Sequence, residues 1–285
     1  MAYLYLVLSS ICSLTIAHLL KVTEVKNVRT LNTLTVNYLI AFIVALSIGF
    51  GESNTTALSF PHYFVLFCIV VGAFFIGNFL VYGKSVHTNG VGVTIAAMRL
   101  SLLIPVIISI LFYAEYLGVI KGFGIILVLG SLLLLIPMKS GLKIGNINVS
   151  WLLVIIFLLS GFADASLKIY QEQFSMQINE QTFMGFVFLG AFVLGLMACF
   201  YRQGPLFTKK ELLLGAGIGI PNLYSSIFLI YSLKGISGSV AFPIVNTINV
   251  LGGTFLGLII WDDKVSKRQW IGIAIAILAI ILLVI

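Results

Sequence analysis

The sequence predicts an all-α integral membrane protein of ten transmembrane helices arranged as two five-helix inverted repeats. Three observations carry that prediction: more apolar surface than a soluble core absorbs, ten apolar stretches of spanning length, and an internal repeat whose unit holds an odd number of spans. Of the 285 residues, 60% are hydrophobic and 9% are charged, whereas a soluble domain carries about 25% charged residues. Surface area falls too slowly with size for a soluble fold to hide so much apolar surface. The remaining solvent is the bilayer.

A spanning helix needs about 20 mostly apolar residues. Ten stretches qualify, at 2–20, 31–50, 61–82, 90–113, 117–137, 150–171, 181–201, 212–233, 238–261 and 269–285. Turn and breaker residues separate them, in GESNTT, HTNG, KSGLKIGNIN, RQGP, KGISGS and DDKVSKR. The opening MAYLYLVLSSICSLTIAHLL has neither a basic start nor a small-residue cleavage site and reads as a retained first span. Cys12, Cys68 and Cys199 stand singly in apolar segments and read as inert thiols. The net charge of +7 is strung along the connections and not gathered into a basic face with interleaved aromatics, which argues against a nucleic-acid partner.

The repeat emerges when FLVYGKSV (79–86) is laid on FLIYSLKG (228–235), pairing Phe79 with Phe228 and Tyr82 with Tyr231. One residue skipped near Asn89 extends the match: Gly90 meets Gly238, Glu115 meets Asp263, and Gly124 meets Gly272. Lys21 in AHLLK and Lys168 in DASLK align more weakly in the first spans. The expected units are 1–137 and 150–285, joined by a connecting loop at 138–149. Five spans per unit oblige the second unit to enter from the opposite side, and inverted halves place a site near the midplane that opens alternately to each side.

A duplicated five-span unit, a short glycine-bounded connection before the fourth span, and an aromatic and acid closing that span (FYAEYL, IIWDDKV) resemble the drug/metabolite transporter superfamily, in particular its EamA-type members. The resemblance covers essentially the whole chain. Where EamA-like halves usually carry leucine-glycine-glutamate, this chain has Tyr113-Ala114-Glu115 and Trp261-Asp262-Asp263, so the acid is kept and the glycine is not. The resemblance implies secondary transport of a small polar metabolite, amino-acid-like or otherwise carboxylate-bearing, in the export direction, with no cofactor. Its wider range also includes flippases or exporters of amphipathic molecules and lipid-linked sugars. The expected location is a bacterial inner membrane, crossed many times. No GxxxxGK[ST] phosphate loop, HExxH or GxSxG is present, so the chain reads as gradient-driven and not as an enzyme; a membrane assembly subunit is the reading from another class.

Polar residues inside spans are costly and usually face the protein interior or a water-filled cavity. Arg99 stands about ten residues into its span, too deep to reach either surface at a rise of about 1.5 Å per residue. Its planar guanidinium suits a substrate carboxylate, or equally a structural acid or the carbonyls freed at Pro105. Its repeat partner is Thr247, flanked by Asn246 and Asn249 on one face. Asn78, Tyr82, Tyr231, Asn222 and Tyr224 complete the candidate substrate-binding set. Asp164 is the candidate proton-coupling group and stands one turn from Lys168, with which it can pair. Lys168 and Lys21 are expected to snorkel, and His18 is a further coupling candidate. The expected partners are the small solute and membrane lipid.

Five alternate connections, the first, third, fifth, seventh and ninth, carry twelve Lys and Arg against three in the other four. By the positive-inside rule both termini lie outside, whereas the family resemblance implies both inside; the reading adopted here follows the charge.

Overall fold

Water is absent from the hydrocarbon, so each backbone N–H and C=O in a span needs a partner within the protein, and the helix provides all of them locally. The computed structural model describes residues 1–52, 60–136, 150–201, 207–262 and 264–285; the predicted connection 138–149 and Asp263 lie outside them. Eleven helices are described: α1 (Ala2–Val25), α2 (Thr30–Glu52), α3 (His62–Asn89), α4 (Val91–Leu100), α5 (Leu103–Phe112), α6 (Val119–Leu135), α7 (Ser150–Gln173), α8 (Glu180–Tyr201), α9 (Lys209–Leu233), α10 (Gly238–Ile260) and α11 (Lys267–Val284). Helices α4 and α5 are two halves of one span, Gly92–Phe112, and the shorter α6 has 17 residues. This is a multi-pass membrane protein.

The break inside the fourth span follows from Pro105, which lacks an N–H and crowds the carbonyl four residues before it. That carbonyl belongs to Ser101. It accepts instead from Ile104 N at 2.9 Å, while Leu102 N reaches only back to Arg99 O at 3.4 Å, a local tightening to three-residue turns. Pro243 lies in the matching span without ending α10. Helices α9 and α11 begin with reciprocal capping boxes, Thr208 with Glu211 and Ser266 with Gln269.

Connections alternate between two ends of the bundle. Met1, residues 113–118, residues 174–179 and the start of α10 share one end, here the terminus side; residues 26–29, Gly90 and the start of α11 share the opposite side. The packing repeats itself when the first five spans are exchanged with the second five. Helix α1 packs on α9 as α7 packs on α3; α2 packs on α9 as α8 packs on α3; α1 packs on α10 as α7 packs on α4 and α5; and α2–α8 and α6–α11 pair with each other. Polar links follow the same pattern: Ser13 and Ser225 hydroxyls meet at 2.7 Å where α1 crosses α9, and Ser160 Oγ donates to Asn78 Oδ1 at 2.9 Å where α7 crosses α3.

One contact departs from the pattern. Helix α5 packs against α10 at the terminus side, but α4 has no comparable packing on α10 at the opposite side. A Cβ on Gly238 would run into the Ser109 hydroxyl, whereas one on its repeat partner Gly90 would meet nothing within 4 Å. Among the described residues, α10 therefore closes on the fourth span at the terminus side and stands apart from it at the other.

Small residues permit the close crossings. Gly215 and Gly219 lie against Val36 and Ile40 of α2, whereas Gly253 faces nothing within 4 Å. At Gly72 a Cβ would stand 2.6 Å from Val187 O and 2.8 Å from Ala191 N, both backbone atoms of α8. Gly72→Ala must push two helices apart and is expected to cost about 1–3 kcal/mol, lowering Tm in detergent. Gly83→Ala, with nothing within 4 Å of the new methyl, is expected to leave Tm unchanged or raise it, since alanine is the better helix former by about 1 kcal/mol.

Candidate functional site

Arg99 closes α4 just before the proline break, near mid-depth, and is partly buried. Asp164 of α7 and Tyr82 of α3 lie within electrostatic reach of it. Among the described residues neither the Arg99 guanidinium nor the Asp164 carboxylate makes a hydrogen bond or salt bridge, so the cation and the acid stand within reach without touching. Asn78 and Ser160 sit one turn from Tyr82 and Asp164 on the same two helices and bond each other, so α3, α4 and α7 present one continuous polar wall. The repeat-related positions carry neither charge: Thr247 of α10 replaces Arg99 and bonds Pro243 O at 2.7 Å, and Ala17 of α1 stands at the position equivalent to Asp164.

The remaining predicted residues divide among other tasks. Asn246 donates to Phe242 O of its own helix at 3.1 Å. Asn249 keeps a buried Oδ1 with no partner, an acceptor available at mid-depth on α10. Asn222 donates to Asn37 Oδ1 at 3.1 Å and ties α9 to α2. Tyr224 and Tyr231 belong to an aromatic cluster with Phe228 and Tyr5. Tyr231 also accepts from Gln181 at 3.3 Å and borders a surface hollow of about 410 Å³ beside Met1 and Lys234, so it lies at the terminus side and away from Arg99. His18 packs on the Trp261 ring at 5.5 Å with a buried, unpartnered Nδ1, and Lys21 sits 4.8 Å over the same ring.

Lys168 corrects two expectations. It does not pair with Asp164 one turn back, and it does not snorkel: it is 3% exposed. Its ammonium contacts Glu115 Oε1 at 2.9 Å and Glu172 Oε1 at 2.6 Å, because only these carboxylates meet a cation that water no longer reaches. Sequence reasoning saw Glu115 as a motif acid and missed its task. Its two oxygens accept from the backbone N–H of Gly238 at 2.7 Å and of Ser239 at 2.8 Å, so a loop of the first half caps the first turn of α10 in the second. Further interhelical pairs, Arg29 with Glu211 at 2.6 Å and Lys234 with Glu180 at 2.5 Å, clamp the two ends.

Residues 151–285 match the EamA-like transporter family. The second half of the chain is thus similar to that family. Along 283 residues, covering 96% of this chain and 95% of its own, an uncharacterized protein of Haemophilus influenzae is 24% identical. A crystal structure of 13% identity superposes with a TM-score of 0.81 over 99% of this chain and 96% of that one, which shows a shared fold.

The departures from the EamA-like glycine fall at special backbone positions. Ala114 has φ 50° and Asp262 has φ 51°, the left-handed region where a Cβ costs about 1 kcal/mol or more. The turn is retained although its best residue is not. Ala114→Gly is expected to raise Tm, offset in part by the greater freedom of glycine in the unfolded chain; a fall in Tm contradicts the assigned backbone.

Burial raises the Glu115 carboxyl pKa, but the Ser239 amide, the Lys168 ammonium and the Gly238 amide outweigh it, and the net value is below the ordinary glutamate range. A depressed carboxyl contributes stability that is whole above the unfolded pKa, about 4.3, and is lost as pH falls through the lower folded value. The Tm difference between wild type and Glu115→Gln is therefore expected to be flat from pH 8 to 6 and to shrink on acidification below about pH 4. A difference that grows with acid runs against the assigned contacts.

Proposed function

We propose that this protein is a secondary transporter that moves small carboxylate-bearing solutes, amino acids among them, across a bacterial inner membrane by alternating access between two inverted five-span halves. The observation that carries the reading is the Arg99–Asp164 gap. A structural ion pair closes on itself, because an unpaired charge at mid-depth is expensive. Here a cation and an acid are held within reach and left unjoined, on a wall whose repeat counterpart does without either. A solute carboxylate fits Arg99 bidentately, and its ammonium, or a proton in its place, fits Asp164. Tyr82 borders the cation, and the free Asn249 oxygen offers an acceptor on the facing half.

Export agrees with the parted side. The opposite side carries the connections rich in lysine and arginine, which the positive-inside rule assigns to the cytosol. A bundle open there loads from within. Exchange flux of labelled amino acids and simple carboxylates in proteoliposomes tests the proposal. Arg99→Ala is expected to lower flux on the order of tenfold to a hundredfold, the weight of a charged hydrogen bond. Asp164→Asn is expected to keep exchange but lose its response to an imposed pH gradient. Unaltered flux in Arg99→Ala rules out the assigned role of the arginine.

A further inference from the structure

Two contacts at the seam between α5 and α10 on the terminus side differ in cost. At the seam between α5 and α10, Gly238 leaves no room beyond the Ser109 hydroxyl, and that hydroxyl is buried with no hydrogen-bond partner. Closure therefore strands a polar group. What holds the seam shut is Glu115, with both oxygens on the first-turn amides of α10 and one of them on Lys168. The carboxylate is 10% exposed, so these charge-assisted bonds are little diluted by water.

We infer that Glu115 is the latch of the terminus-side gate, and that its departure from Gly238 and Ser239 is the step that lets α5 and α10 separate and the carrier face the other way. This rests on the alternating-access reading given above. Each group released has somewhere to go. Lys168 keeps Glu172 at 2.6 Å and Gln171 at 3.1 Å on its own helix. The freed amides belong to a helix end at the membrane surface, where water replaces the carboxylate. Ser109 gains access to that water. Opening thus exchanges one set of satisfied groups for another and does not leave a bare charge in the hydrocarbon. The aromatic-lysine element beside the latch, Tyr113 with Lys168 at 5.6 Å, recurs at the opposite side as Trp261 with Lys21 at 4.8 Å. There the α4 start, Gly90, stands in open space.

The test is pulsed electron-spin distance measurement on the full chain in nanodiscs, in a background with Cys12, Cys68 and Cys199 replaced by serine. Labels at Tyr116→Cys and Ser237→Cys report the terminus side; labels at His87→Cys and Lys264→Cys report the opposite side. Wild type is expected to show a short terminus-side distance and a long opposite-side one. Glu115→Gln is expected to raise the long terminus-side population roughly fivefold or more and to shorten the opposite-side distance in step. Gly238→Ala, which crowds Ser109 and leaves Glu115 intact, is expected to shift both distances the same way and keeps the test available if Glu115→Gln folds poorly. Unchanged distances in both variants overturn the latch. So does a terminus-side lengthening with no change opposite, which marks a frayed loop. These distances are read without any solute, so absent flux with coupled distance changes defeats the transport reading and spares the latch.

Discussion

A polar group inside the bilayer has only the protein to bond with, and most of this structure follows from that one restriction. It makes every span a helix and places serine and asparagine pairs where helices cross. It also draws Lys168 onto Glu115 of another segment, beside Glu172 of its own helix, when water is withdrawn. The same restriction makes exceptions informative. A group left without a hydrogen bond at mid-depth is held there at a cost, and among the described residues the Arg99 guanidinium, the Asp164 carboxylate and the Asn249 oxygen are such groups.

The scaffold and the chemistry obey different symmetries. Crossings of α1 on α9 and α7 on α3 repeat each other down to their serine contacts, as a duplicated unit would produce. The mid-depth charges do not repeat: Arg99 faces Thr247 in the alignment and Asp164 faces Ala17. A fold able to pack neutral residues at these positions on α1 and α10 carries a cation and an acid at the equivalent positions on α4 and α7. The closure of α5 on α10, without a matching closure of α4, adds a second asymmetry. Together they set the two ends of the bundle apart in packing and the two repeat-related walls apart in charge.

Much of the fold was legible because spans are long, apolar and locally determined. The span expected at 238–261 matches α10, Gly238–Ile260, and needs no tertiary knowledge. The mid-depth placement of Arg99 was legible for the same reason. Partners were not. Lys168 and Asp164 are neighbours along a helix, and local spacing favoured their pairing; Glu115, more than fifty residues away, wins because the fold buries it against the same ammonium. Nor did spacing reveal that Asn222 bonds Asn37 across helices, or that Tyr231 lies by Gln181 at the surface. The positive φ at Ala114 and Asp262 was hinted at by the missing glycines, but only the backbone shows it.

The proposed alternating access requires that the wall beside Arg99 line a water-filled passage open at the end away from the termini. Cysteine placed at Asn249, with the three native cysteines replaced, tests it most directly through its rate of reaction with a membrane-impermeant thiol reagent in oriented vesicles. The account predicts reaction when the reagent is added on the side of residues 264–268 and protection by a bound carboxylate solute. Reaction only from the side of Met1, or none from either side, would contradict it.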